Sequence, residues 1–135
     1  MNISSSVVRL CGAVLLGAAG SACSGVSTQA AAPAPSTALL QQLRAEIGGA
    51  ACDAAQQCRT VAIGHKACGG PETYLAWSTK GTDGAKLQRL ADAYGARRKA
   101  DNLASGMLSN CSAVMDPGAS CSAGRCVSGG NNGAL

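Results

Sequence analysis

The chain has 135 residues and a formal net charge of +4. This length allows one domain at most. Aromatic residues make up 2% of the chain, with no Phe and one Trp, so a small domain of this composition needs a source of stability besides its core. Its one basic run, Arg97-Arg98-Lys99, lacks the wider basic stripe typical of nucleic-acid binding, so a nucleic-acid partner is not expected.

The first 22 residues have the layout of a secretory signal. One Arg and no acidic residue precede an apolar run at residues 10–20, and small residues follow it. The run is shorter than the roughly 20 residues that a membrane-spanning helix needs. The sequence therefore predicts a signal peptide over residues 1–22.

Cys23 is the predicted membrane attachment point. The segment AGSAC that ends at Cys23 resembles the lipobox of bacterial lipoproteins, in which the cysteine is acylated, for example with palmitate, and becomes the new N-terminus. Gly20 departs from the pattern, which most often has Leu there, and cleavage near residues 30–32 is the alternative. Residues 23–36 are rich in Ser, Thr, Ala and Pro, a composition typical of a flexible tether.

This resemblance implies a location in the cell envelope. Ser24, directly after the lipobox cysteine, suggests an outer-membrane lipoprotein that faces the periplasm. The membrane would then be a partner of the chain through its N-terminal lipid. Cleavage further downstream would give a secreted or soluble periplasmic protein instead.

The folded part is predicted to begin with a helix over residues 37–48. Apolar residues recur at helical spacing, Ser36 or Thr37 can cap the start, and glycines follow the end. A strand is predicted over residues 58–63, where Thr, Val and Ile alternate with other residues.

A loop rich in Gly and Pro follows at residues 64–71. The next strand, predicted over residues 73–78, places Tyr74 on one face and Trp77 on the other, because side chains alternate along a strand. A short helical turn that starts at Pro71 is the alternative.

The longest predicted helix covers residues 83–104, with Thr82 or Asp83 as its cap and an apolar stripe on one side. Residues 110–115 suggest a third strand, and the Asp-Pro-Gly sequence after them favours a turn. Residues 120–128 suggest a short hairpin or strand, and residues 129–135 a disordered tail. The fold class expected for residues 37–128 is α+β, a small antiparallel sheet with two helices.

The eight cysteines indicate that disulfides stabilise this domain. Cys11 falls in the predicted signal and Cys23 is the predicted lipid site, which leaves six. An even number in a small exported domain is typical of disulfides, and no CxxC pair, the spacing of many zinc and redox sites, occurs. We therefore expect three disulfides and neither a metal nor a cofactor. The six cysteines are Cys52, Cys58, Cys68, Cys111, Cys121 and Cys126.

One pairing is expected from the order of the elements. A bond between Cys68 and Cys111 would close the long loop that holds the main helix. The other four cysteines would then pair among themselves, in a connectivity that the sequence leaves open.

Two segments carry a family resemblance. They are CDAAQQCRTVAIGHKACGGPETYLAWSTKGTDGAKLQRL and NCSAVMDPGASCSAGRC. Their C…QC, CGGP and C…GRC patterns resemble a family of small, uncharacterised bacterial envelope lipoproteins, over roughly residues 52–127. The resemblance implies a compartment and a fold, and it transfers no catalytic residue.

The sequence favours a binding role over catalysis. His65 is the only histidine, so a Ser-His-Asp or Cys-His hydrolase would depend on it. There is no GxSxG motif, and the carboxylates are scattered singly, without a glycosidase-like pair. We assign no catalytic residue, and a small hydrolase that uses His65 is the least favoured hypothesis.

The loop at residues 64–71 is the most distinctive stretch, and it matches no phosphate-binding motif. Loops on a stiff scaffold often carry binding sites. Trp77 is favoured as a core residue but is also a candidate for the surface. The candidate binding surface comprises His65, Lys66, Glu72, Tyr74 and Trp77. The expected function is a non-enzymatic binding or interaction module for an envelope protein or glycan, and a structural envelope component without a specific ligand is the alternative.

Overall fold

A computed structural model describes residues 34–129. The predicted signal peptide, Cys23, most of the predicted tether and all of the predicted tail except Gly129 lie outside the described residues. The fold is α+β with two small antiparallel sheets, which confirms the predicted class. Its elements are α1 (Ser36–Ile47), β1 (Cys58–Ile63), β2 (Thr73–Ser78), α2 (Gly84–Ser105), β3 (Ala119–Ser122) and β4 (Arg125–Ser128), with a short 3-10 turn (Ala55–Gln57) before β1.

Helix α1 forms where its apolar spacing predicts it, and Leu43 is fully buried. The predicted side-chain cap is wrong, because Pro35 holds the N-cap position and Ser36 is already helical. The Pro35 carbonyl accepts hydrogen bonds from the N–H groups of Ala38 and Leu39, so the first turn closes without a side-chain acceptor.

Strands β1 and β2 pair as an antiparallel hairpin with the predicted bounds. Val61 lies opposite Leu75, and both side chains contribute to the core on the helical side of the sheet. Helices α1 and α2 cover this face, and Leu43 and Leu87 fill the space between them and the strands.

Helix α2 begins one residue later than predicted, after Asp83, whose carboxylate accepts the backbone N–H of Lys86. Leu87, Ala91 and Tyr94 bury the predicted stripe. The helix ends before Gly106, which adopts the left-handed conformation common after a helix C-terminus. No helix between residues 34 and 129 is long and apolar enough for a membrane span.

The second ribbon, β3–β4, packs on the other side of the β1–β2 hairpin, where a small cluster contains Cys58, Ala76 and Cys126. The predicted third strand at residues 110–115 is wrong, because this segment has no ladder partner in the described chain. Cys111 has φ 58, a left-handed conformation that a strand does not accommodate.

The six cysteines form three disulfides, and Cys68 is paired with Cys111 as expected. The other two bonds join the start of the domain to the C-terminal ribbon: Cys52–Cys121 and Cys58–Cys126. A backbone hydrogen bond also joins these two regions, because the Cys126 N–H donates to the Ala50 carbonyl.

Candidate functional site

An open cavity of about 530 Å³ lies at the C-terminal end of α2. One wall is the last part of this helix. Asn102 and Leu103 follow Lys99 by three and four residues, so both lie on the same side of the helix as Lys99. The loop after β1 forms the opposite wall, and the segment after α2 closes the third side. The lining residues from these two segments are His65, Ala67 and Cys68, and Gly106, Met107, Leu108, Ser109 and Cys111.

The chain reversal at Gly106 creates the third wall. Gly106 has φ 62, and the N–H of Met107 donates to the carbonyl of Asn102, so the backbone turns away from the helix axis at this point. The segment then runs back to the loop after β1, where the Cys68–Cys111 disulfide fixes it. Two walls of the cavity are therefore joined covalently.

Hydrogen bonds hold the walls together as well. The side chain of Asn102 is buried in α2, and its Nδ2 donates to the backbone carbonyl of His65. The ammonium of Lys66 donates to the carbonyl of Ser112 and, at 3.4 Å, to Oδ1 of Asn110. The cavity is thus formed by segments that constrain one another.

The basic run of α2 is mostly neutralised. Arg98 Nε lies 2.9 Å from Glu72 Oε1, and this hydrogen bond raises the pKa of the Arg98 guanidinium above its usual value. Arg97 pairs with Asp101 one turn later, also at 2.9 Å. Lys99 forms no ion pair within residues 34–129, and none of the described residues that line the cavity is acidic. The cavity therefore has a net positive wall.

Large apolar side chains are exposed around the cavity. The exposed fractions are 76% for Leu103, 52% for Met107 and 92% for Leu108. Large apolar side chains exposed around one cavity of a small domain are typical of an interaction or ligand site. The exposed patch and the positive wall together make this cavity the candidate functional site.

The structure brings part of the sequence-predicted surface to this cavity. His65 lines it, whereas Lys66, next in the chain, directs its ammonium to the 110–112 segment. Glu72 is held by Arg98. Tyr74 and Trp77 lie on opposite faces of β2, and Trp77 packs against the main core, the placement favoured from the sequence.

The apolar side of the cavity was not among the residues predicted from the sequence. Leu103, Met107 and Leu108 are large apolar residues that continue beyond the buried stripe of α2. A helix that only faces the core does not need large apolar residues beyond its buried stripe. These three residues were therefore the feature of the sequence that could have indicated the site.

Residues 34–129 do not provide a catalytic arrangement around His65. Within the described residues, no side-chain hydroxyl or carboxylate is hydrogen-bonded to its imidazole. The sulfur atoms of Cys52, Cys58 and Cys126 lie within 4.8 Å of one another, but all three are in disulfides and therefore provide no thiolate for a metal.

Comparison with protein families, curated proteins and solved structures gave no match to this chain. The resemblance to envelope lipoproteins therefore stays an expectation from the cysteine pattern.

Proposed function

We propose that the protein is an exported, lipid-anchored envelope protein that acts as a non-enzymatic binding module. The cavity at the C-terminal end of α2 is its binding site. The observation that carries this function is the exposure of Leu103, Met107 and Leu108 around a cavity whose walls are fixed by a disulfide. Concave, largely preformed apolar sites are the usual places where proteins bind ligands.

The sequence and the disulfides support the proposed location in the cell envelope. The layout of residues 1–22 is typical of a secretory signal, and Cys23 follows small residues as in a lipobox. Three disulfides within one small domain suit an oxidising compartment outside the cytoplasm. A flexible tether after Cys23 would let the domain reach ligands near the membrane surface.

Site-specific photocrosslinking in membranes tests this function. A photoreactive amino acid is placed at Leu108 of the full-length protein, and adducts of any chemical class are identified by mass spectrometry. The matched control is the same amino acid at Val127, an exposed apolar residue of β4 that does not line the cavity. We expect one dominant adduct from position 108, lost when Leu103 is changed to Asn.

Equal adducts from positions 108 and 127 would contradict the binding site. So would a position-108 adduct that is insensitive to Leu103→Asn. Either result would favour a structural envelope component without a specific ligand.

A further inference from the structure

The volume and the apolar lining of the cavity suit a small molecule with an acyl-like apolar part. Its volume of about 530 Å³ lies within the range of roughly 300–1,000 Å³ that ligand pockets occupy. Leu103, Met107 and Leu108 line it as unbranched or γ-branched side chains, without a Phe, Tyr or Trp among the described lining residues. An unbranched acyl chain can lie along such a surface and bury methylene groups one after another.

The side chain of Lys99 places a positive charge at the edge of this apolar surface. The neighbouring Arg97 and Arg98 are occupied by carboxylates, whereas Lys99 has no acidic partner within residues 34–129. A lysine ammonium is a single point charge, and it lacks the planar fork with which arginine binds phosphate in two places. The charge at the cavity therefore complements a monoanionic head group.

We infer that the cavity binds a fatty acid, with the acyl chain on Leu103, Met107 and Leu108 and the carboxylate at Lys99. This inference rests on the proposed function, since it assigns a ligand to the same cavity. A domain tethered to a membrane would meet such amphiphiles at high local concentration.

The test uses the full-length protein in lipid nanodiscs and a photoreactive analogue of laurate. Labelled peptides are identified by mass spectrometry, and the half-maximal labelling concentration is measured. Unlabelled laurate, dodecanol and dodecyl phosphate compete in separate arms, so that chain length is constant and only the head group changes. We expect labelling of the 99–108 segment, with laurate competing about two- to fivefold better than dodecanol, the range for one exposed charge pair.

Two pairs of variants locate the ligand. Lys99→Gln should weaken labelling about two- to fivefold, and Lys99→Arg should restore it, whereas Arg89→Gln removes an exposed cation of the same helix outside the cavity and should have no effect. Leu103→Ser should weaken labelling about tenfold through lost apolar contact, and Val127→Ser should not. Circular dichroism checks that each variant is folded.

Several results would overturn the inference. Dodecanol competing as well as laurate, or Lys99→Gln without effect, would remove the role of the carboxylate. Dodecyl phosphate competing better than laurate would assign the site to a phosphate head group. Absence of laurate labelling, while the crosslink from position 108 persists, would reject the fatty acid and leave the binding module standing; loss of both would reject both.

Discussion

Gly64 is the residue that allows the loop after β1 to pack closely against Glu72. Its φ is +80, and a Cβ at this position would lie 2.5 Å from Oε2 and 2.8 Å from Cβ of Glu72. Because Glu72 is held by Arg98, the clash has no simple relief. We expect Gly64→Ala to lower the free energy of unfolding by about 1–3 kcal/mol, measured by urea denaturation.

Gly69 provides a matched control in the same loop. Its φ is +94, but an added Cβ would meet nothing within 4 Å. Gly69→Ala therefore carries the conformational cost without the clash, and it should destabilise the domain less than Gly64→Ala. Equal losses for the two variants would contradict the contact with Glu72.

Several residues of the site could be selected from the sequence, but the residues that they contact could not. His65 and Lys66 were singled out from a loop rich in Gly and Pro, which is a local signal. The hydrogen bond from Asn102 to the His65 carbonyl joins residues 37 positions apart. Such a contact depends on how α2 packs on the loop, and residue spacing does not encode that packing.

The start of α2 depends on one carboxylate. Asp83 accepts the Lys86 N–H at 3.0 Å, and this backbone hydrogen bond holds the pKa of Asp83 below its usual value. Because the pKa is lower in the folded state than in the unfolded state, the stabilisation is complete above the unfolded pKa. It is lost as the pH falls through the folded pKa.

We expect Asp83→Ala to lower the Tm by a few degrees at neutral pH, since the helix loses its N-cap. The difference from the unmodified protein should shrink as the pH falls below the ordinary aspartate pKa of about 3.9 and then through the lower pKa of the folded state. Thermal unfolding followed by circular dichroism over a pH series measures both effects. Thr82→Ala is the control, because the sequence allowed either residue as the cap; a larger effect from Thr82 would contradict the assignment.

The bounds of the elements with a clear hydrophobic periodicity were predicted to within one residue, because this periodicity reflects which face of the element is buried. The bounds of β1 and β2 are as expected, and α2 is shifted by one position. The segment at 110–115 has a strand-like composition yet no partner strand in the described chain. Strand formation needs a neighbour, and Thr60 instead hydrogen-bonds Asp116 just beyond this segment, at 2.8 Å.

Three disulfides support a core with few large side chains. Removing the exposed Cys68–Cys111 bond by a double change to Ala should lower the free energy of unfolding by about 2–4 kcal/mol, through greater freedom of the unfolded chain. Removing Cys58–Cys126 in the same way should cost more, because both side chains are buried and pack in the second cluster.

Urea denaturation of the two double variants, with the remaining bridges intact, measures this difference. A larger loss for Cys68→Ala with Cys111→Ala than for the buried pair would contradict the importance of the second cluster. Intact mass before each measurement checks that the other cysteines stay paired.

At the scale of the molecule, the number of disulfides was predictable and most of the connectivity was not. An even count gives three bonds, and the order of elements suggested Cys68–Cys111. The four remaining cysteines allow three pairings. The choice depends on how the β3–β4 ribbon lies on β1, which brings Cys126 to Cys58 and Cys121 to Cys52.

Intact mass spectrometry of the full-length protein extracted from membranes is the most direct test of an exported, lipid-anchored and disulfide-stabilised module. We predict a chain that begins at Cys23, carries an added acyl mass, and is lighter by about 6 Da than the reduced form, because each of three disulfides removes two hydrogens. A chain that retains residues 1–22, or one without added lipid and with free thiols, would contradict this account.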